Sequence, residues 1–372
     1  MFEQELVCAV ALNKILPFQP GICFALYKYC GSYTNLFSLP FRELYLLTGK
    51  RRELAGRICD DKEITAAEKD LEKLTSLGVK AIHPGTGEYP ELLRECADPP
   101  AVLFIKGDVN LNDKYFVSVV GTRRSTPYGE ISCRKIISEL ASSGINPVIV
   151  SGLAYGIDIC AHKAALDNGL KTVAVMPCGA ESIYPSAHNS VAEKISCNGA
   201  ILTEFPFGTP PFKMNFIQRN RIIAGLSAVT TVIESDVKGG ALSTAELSQI
   251  YSREVFALPG KIGERASAGC NMLISRNIAN IFISTSHFLA YLGWGSGQIR
   301  TYSEPDLFGT YKAEKEKIFV ALKNNPTLDR DDLHRVTGLN IKVLSAALLE
   351  MELDGIINPL PAGRYVVVRK SL

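Results

Sequence analysis

The chain has 372 residues, 47% of them hydrophobic, with 40 basic against 38 acidic side chains for a net charge of +2. That length suggests two or three domains around substantial cores, and the charge balance neither demands nor excludes nucleic acid, because a local basic edge can act inside a balanced protein. The ten cysteines are scattered, with no Cys-x-x-Cys and no close His/Cys cluster, which leaves zinc and redox-motif readings without support and fits buried, reduced thiols.

The start, Met1-Phe-Glu-Gln-Glu, lacks the basic and apolar regions of a secretory signal, and no uninterrupted apolar stretch reaches the roughly 18 residues of a membrane span. A soluble cytoplasmic protein without membrane association is expected. Residues 1–77 read as a helical domain of the SAM or helix-hairpin-helix kind, with apolar positions such as Leu6, Val10, Leu12 and Leu16 at three- and four-residue spacings. Pro20-Gly21 resembles a worn helix-hairpin-helix phosphate loop, and Lys50, Arg51 and Arg52 form a basic run. A solvated charged face is the plainer reading of both. Around Val79-Lys-Ala-Ile, Tyr89-Pro-Glu-Leu-Leu and Val102-Leu-Phe-Ile, two strands and a short helix are expected to extend the sheet that follows.

From Phe116 onward, short apolar runs alternate with helical segments: Phe116-Val-Ser-Val-Val, Val148-Ile-Val-Ser, Thr172-Val-Ala-Val, Ala200-Ile-Leu-Thr, Val229-Thr-Thr-Val-Ile, Val255-Phe-Ala-Leu and Ile281-Phe-Ile. Such spacing predicts an α/β fold over residues 78–292, an extended Rossmann-like, doubly wound, mostly parallel sheet covered on both faces. Residues 293–310, with Gly293-Trp-Gly-Ser-Gly, read as a linker, and 311–372 as a winged helix of three helices and a two-stranded wing around Pro361-Ala-Gly. The third helix carries Lys342 against Glu350, Glu352 and Asp354, an acidic face that would repel a phosphate backbone and suits packing or protein contact better.

In a doubly wound sheet the turns after the strands converge on one crevice. Those turns are expected to carry Gly121, Thr122 and Arg123 with Arg124; Ser151, Gly152 and Gly156; Arg219, Asn220 and Arg221; and Lys238, Gly239 and Gly240. Glycine admits a ligand close to the backbone, helix starts offer free N–H groups, and arginine grips phosphate oxygens in pairs. Lys213-Met-Asn-Phe-Ile-Gln-Arg-Asn-Arg interleaves cations with Phe216, a pattern suited to single-stranded nucleic acid, in which Lys213, Arg219 and Arg221 track phosphates and Phe216 stacks or joins the core. Tyr155 either stacks on a base or covers a helix start, and Asp158 reads as a cap or a nearby ion-pair partner. No Gly-x-Gly-x-x-Gly and no Gly-x-x-x-x-Gly-Lys-Ser/Thr is present, so a dinucleotide cofactor and P-loop hydrolysis are disfavoured. Ser243, His162 and Asp158 make a triad only on paper, without a nucleophile elbow. Glu204 and Glu234 are either paired carboxylates for acid–base work or anchors for Arg219 or Arg221.

Several of these pieces resemble one family: Val120-Gly-Thr-Arg123, Ser151-Gly-Leu-Ala, Gly156-Ile-Asp-Ile-Cys-Ala-His162, Arg219-Asn-Arg-Ile-Ile-Ala-Gly-Leu-Ser227, Gly239-Gly-Ala-Leu-Ser-Thr244 and Val255-Phe-Ala-Leu-Pro-Gly260. In order and spacing they are similar to the DNA-processing protein A family, also called Smf. The resemblance implies a non-enzymatic, dimeric protein that binds single-stranded DNA and helps load the RecA recombinase in natural transformation, with no cofactor and no metal. Arg123 then matches the family's phosphate-binding arginine, and Lys213 and Phe216 its lysine and aromatic residue. A different class is kept beside it, because Gly239-Gly-Ala-Leu-Ser-Thr-Ala-Glu246 is similar to the glycine-rich turn of Lonely Guy-type phosphoribohydrolases.

Overall fold

Most apolar runs of the central region become short strands buried along nearly their whole length, as expected of strands covered on both faces, whereas the last run gives only a two-residue, partly exposed edge strand. The computed structural model describes residues 2–294 and 312–368, which fall into two compact units on either side of the gap between them. In the first unit the strands are β1 (Val79–Ile82), β2 (Leu103–Gly107), β3 (Phe116–Val120), β4 (Val148–Ser151), β5 (Thr172–Val175), β6 (Gly199–Thr203), β7 (Val229–Val232), β8 (Glu254–Ala257) and β9 (Asn280–Ile281). They form one sheet in the order β1-β2-β6-β5-β4-β3-β7-β8-β9. From β6 to β9 every pairing is parallel, and β2 runs antiparallel to both β1 and β6. The chain winds outward from β3 in one direction through β4 and β5, then returns to β7 on β3's other side. That reversal places the switch point between β3 and β7.

The helices of this unit are α1 (Gln4–Ile15), α2 (Pro20–Cys30), α3 (Tyr33–Ser38), α4 (Phe41–Leu47), α5 (Arg52–Ile58), α6 (Asp61–Ser76), α7 (Glu91–Arg94), α8 (Pro127–Ser142), α9 (Ile157–Asp167), α10 (Asn189–Cys197), α11 (Lys213–Leu226), α12 (Gly240–Ile250), α13 (Arg265–Ser275) and α14 (Thr285–Tyr291). Strand alternation sorts the core into two layers. Phe116, Val120, Val148 and Val150 pack with Ile222, Ile223 and Leu226 of α11 and with Leu242 and Ala245 of α12. On the opposite face Val117, Val119 and Ile149 pack with Ile136, Ile137 and Leu140 of α8 and with Ile157 and Ala161 of α9. The expected doubly wound sheet is therefore present, and no helix among the described residues is long and apolar enough to cross a membrane.

At the other end, α1 is buried from Val7 through Leu12 because the remaining N-terminal helices wrap it, and this core continues onto Val102 and Phe104 at the sheet margin. The junction also contains charge. Asn13 Nδ2 donates to the Glu204 carbonyl at 2.8 Å, and the Glu204 carboxylate accepts from the Arg221 guanidinium, which also donates to the Asp98 carbonyl. Both Glu204 and Arg221 are buried. Burial pushes the Glu204 carboxyl up to about 7 against the opposing pull of Arg221.

The second unit contains α15 (Lys312–Asn324), α16 (Arg330–Thr337), α17 (Ile341–Leu353) and the antiparallel pair β10 (Ile357–Leu360) and β11 (Arg364–Val367), the order expected of a winged helix. The acidic face expected on α17 is corrected in part. Glu350 is buried, 2.7 Å from Lys315 Nζ, and the same ammonium lies 3.2 Å from Asp354, so one lysine of α15 offsets two of the three acids. Apart from Gly293 and Trp294, the linker expected over 293–310 lies outside the described residues.

Removing one partner of a buried ion pair strands the other charge. Arg221→Ala should lower unfolding stability by about 3–5 kcal/mol in urea titration. The double change Arg221→Met with Glu204→Leu, which removes both charges, should recover most of that loss. Equal destabilisation of the single and double variants would show that packing, not charge, holds the junction.

Candidate nucleic-acid interface

The carboxyl ends of β3, β4, β5 and β7 share one edge, and the residues after them fit together through glycine. At Gly121 a Cβ would lie 2.6 Å from Ile157 Cγ1, so a larger residue would push the start of α9 away. Thr122 is held from both sides: its N–H donates to the Glu234 carbonyl at 2.8 Å, and its carbonyl accepts from the Ile157 N–H at 3.2 Å. Gly156 has φ +77°, and a Cβ there would fall 2.2 Å from the Thr122 carbonyl oxygen. Glu234 itself is buried and accepts from the Thr126 N–H at 2.9 Å, at the cap of α8.

With Thr122 clamped, the next side chain projects from the edge. Arg123 is exposed and makes no ion pair among the described residues. Its guanidinium lies 4.8 Å from the centroid of the Phe216 ring. Phe216 is half-buried in the first turns of α11, and Tyr184 meets it edge-on with centroids 5.3 Å apart and planes at 75°. Lys213 opens the same helix, exposed. The structure thus assembles Arg123, Phe216 and Tyr184 into one cation–ring–ring group. Tyr184 was not among the expected site residues, because it stands in a loop far from either partner in sequence and has no periodic signal. Tyr155, half exposed, sits edge-on to His188 at 4.8 Å.

Three expectations are corrected here. Arg219, Asn220 and Arg221 do not lie in a strand-end turn; they occupy the middle of α11. Arg219 and Arg221 are 3% and 5% exposed, so neither presents its guanidinium to a solvent-side phosphate. Arg219 Nη1 donates to the Gly152 carbonyl at 2.7 Å and to the Val175 carbonyl, and Arg221 turns to Glu204 and Asp98 at the N-terminal junction. Burial lowers the pKa of Arg219 to about 10 while nearby Asp158 opposes that shift, so it stays charged at neutral pH. A signal for Arg219 was present in the sequence: Asn215, Arg219, Ile222, Ile223 and Leu226 form one buried helical stripe.

The other expected residues divide by exposure. Ser151 is buried and donates its hydroxyl to the Val119 carbonyl at 2.6 Å. Gly152 is buried under Arg219, where a Cβ would lie 2.3 Å from Nη1. Asn220 bridges to α12 through Nδ2 to Ser243 Oγ at 3.3 Å. Lys238 is exposed after β7, Gly239 lies against Ser235, and Gly240 begins α12 with open space around it.

The acid–base alternatives do not assemble. The sheet order separates β6 from β7 by three strands, so Glu204 and Glu234 are not paired carboxylates. His162 Nδ1 pairs with Thr172 Oγ1 at 2.7 Å, and burial drives its pKa down to about 3. Ser243 donates instead to the Gly240 carbonyl, away from any histidine contact.

A family model described as DNA recombination-mediator protein A matches residues 80–293, and a DprA winged helix domain model matches residues 306–363. The Protein Smf of Synechocystis sp. is 35% identical over 333 residues, spanning 79% of this chain and 82% of that protein. The DNA processing protein DprA of Streptococcus pneumoniae is 42% identical over 186 residues, spanning 50% of this chain and 65% of its own. Among solved structures, DNA processing protein A from S. pneumoniae superposes with a TM-score of 0.66 at 33% identity, over 75% of this chain and 95% of that one. DNA processing protein A from Helicobacter pylori, described for its single-stranded DNA binding mode, gives 0.52 at 34% identity, over 57% of this chain and 95% of that one.

The positive φ at Gly156 and its 2.2 Å approach to Thr122 make the start of α9 intolerant of any side chain there. Gly156→Ala should cost about 3 kcal/mol or more of stability by denaturant titration, through left-handed strain and contact with Thr122 combined. Gly240→Ala, on the same edge but in open space, serves as the control and should stay within about 1 kcal/mol.

Proposed function

Because this chain belongs to the DNA recombination-mediator protein A family, we propose that its sheet edge holds single-stranded DNA and that it protects incoming strands and helps load RecA on them during natural transformation. The observation that supports the DNA reading most directly is the Arg123 guanidinium stacked on the Phe216 ring at the switch-point edge. An exposed arginine without an acidic partner is available to phosphate oxygens, and an aromatic ring beside it offers a face to an unstacked base. Lys213 and Lys238 add exposed positive charge on the same edge. In this reading Ser151, Gly152, Arg219 and Asn220 form the floor that positions those groups, and Arg221 belongs to the domain junction. Gly121, Gly239 and Thr122 hold the turns against their neighbours, and Gly240, in open space, leaves room for a ligand close to the backbone. Homodimerisation and the RecA partnership belong to the same proposal and rest on family membership; accelerated RecA polymerisation on a strand already bound by this chain is their expected readout.

Charge and ring should separate in solution. Phosphate contacts to a single strand each contribute a salt slope of about −0.7 in log affinity against log salt. Arg123→Ala should therefore flatten the slope by about that amount and weaken all sequences alike, since phosphate carries no base identity. Phe216→Ala should lose about 1–3 kcal/mol of affinity, the worth of one stacked base, with the slope unchanged. An Arg123→Ala protein that folds and keeps both wild-type affinity and wild-type slope removes the β3 turn from the site.

A further inference from the structure

The N-terminal helices contain a second concentration of free positive charge, remote in sequence from the sheet edge. Between α4 and α5 the chain turns through Thr48-Gly49-Lys50-Arg51, and α5 opens on Arg52. The turn is held by its own backbone and by one hydroxyl. Lys50 N–H donates to the Tyr45 carbonyl at 2.7 Å, Gly49 N–H to the Leu46 carbonyl at 3.1 Å, and Thr48 Oγ1 to the Leu44 carbonyl at 2.7 Å. Gly49 and Lys50 are both left-handed, with φ of 68° and 64°. For the lysine that conformation costs on the order of 1 kcal/mol, and it leaves the side chain outside.

Lys50, Arg51 and Arg52 are all exposed, and none forms an ion pair among the described residues. Three other cations of the same helical bundle are committed to acids. Arg57 lies 2.6 Å from Glu63, and Lys14 and Lys73 both reach Asp70, at 2.5 and 3.9 Å. Lys50, Arg51 and Arg52 are instead adjacent on one turn, so three charges that no acid offsets are concentrated at one place. Glu43 and Glu53 flank the run, but the turn from Thr48 to Arg52 has three positive charges and no negative one. Arg51 also reaches Gln19 Oε1 at 3.4 Å, which joins this turn to the Pro17–Gln19 connection between α1 and α2. The exposed ring of that connection, Phe18, packs against Phe205 at 6.1 Å.

We propose that the Lys50-Arg51-Arg52 turn is a contact for the phosphodiester backbone of duplex DNA, separate from the single-strand edge. It rests on the DNA-binding reading only in taking DNA as the polyanion. The chemistry of the two surfaces differs. The edge around Phe216 interleaves cations with rings and suits unstacked bases, whereas this turn presents charge alone. A surface of charge alone favours the ligand of higher charge density, and a duplex has about one negative charge per 1.7 Å of axis. A duplex also hides its base faces, and none of the five residues from Thr48 to Arg52 carries a ring to read them.

The test uses the full chain and three proteins: wild type, the triple variant Lys50→Ala, Arg51→Ala, Arg52→Ala, and Arg123→Ala. Each is titrated with a blunt duplex, with a single strand of the same length and with anionic phospholipid vesicles, over a range of salt. The triple variant should weaken duplex binding at least tenfold at low salt and flatten the duplex slope by about 2.7, three contacts at about −0.9 each, while single-strand affinity stays within twofold. Arg123→Ala should flatten the single-strand slope by about 0.7 and change the duplex slope by far less than the triple variant does. The proposal is overturned if the wild type does not bind duplex, if the triple variant keeps the wild-type duplex slope, if both ligands weaken equally, or if only vesicle binding responds. Any of these with the Arg123 effect intact leaves the single-strand reading standing, and loss of the Arg123 effect with the duplex arm intact removes only that reading. Should the triple variant melt earlier than wild type, the charge-conserving variant Lys50→Arg, Arg51→Lys, Arg52→Lys must retain duplex binding for the proposal to hold.

Discussion

The edge of the sheet depends on one buried cation. A guanidinium taken out of water is expensive unless its donors are satisfied, and Arg219 meets that condition by donating to the carbonyls of Gly152 and Val175. Those two acceptors belong to the turn after β4 and to the end of β5, so one side chain of α11 fixes two strand ends. Gly152 is glycine because the guanidinium occupies the space a Cβ would need. Asp158, buried nearby, favours the charged form of Arg219. Phe216 lies three residues earlier on the same helix, so the bond that seats Arg219 also places the ring that meets Arg123.

The Arg-Asn-Arg run follows from helix geometry. Residues two apart on an α-helix point about 200° apart. Arg219 and Arg221 therefore leave α11 in nearly opposite directions, one to the sheet edge and the other to Glu204 and the N-terminal helices, while Asn220 between them reaches Ser243 on α12. One helix thereby ties together the strand-end turns, its neighbouring helix and the domain junction. A motif with two cations near a binding edge need not place either of them on the ligand.

This is where the sequence was and was not legible. Local patterns, the apolar runs and their spacing, were sufficient for the sheet, its parallel character, its extension by β1 and β2 and the winged helix, because strand and helix periodicity are short-range properties. Which cations are free is a long-range property. Arg219 reads as a solvent cation until its place in the stripe of Asn215, Ile222, Ile223 and Leu226 is counted, and Arg221 has its partner 17 residues away, just past the end of β6. Likewise Glu350 appears as surface acid until Lys315 of α15 is brought to it. Tyr184 could not be foreseen at all, since only the fold sets its ring against Phe216.

Removing Arg219 and Arg221 from the exposed set changes how a strand would be held under the proposed function. The exposed cations left on the edge are those of Arg123, Arg124, Lys213, Lys238 and, after β8, Lys261, and each phosphate contact they make adds about −0.7 to the salt slope. With the two buried arginines withdrawn, rings carry a larger share of the affinity. Arg123 covers one side of Phe216 at a distance where a cation–π contact is worth about 0.5–1 kcal/mol when exposed, so the arginine is already oriented before any phosphate arrives. A base that stacks beside it gains ring contact only if its own face is free. In a duplex both faces of every internal base are stacked, so the ring contributes nothing there, while the charges act on either form. Preference for single strands at this edge is then a property of Phe216 and its aromatic neighbour, and the cations set affinity without setting that preference.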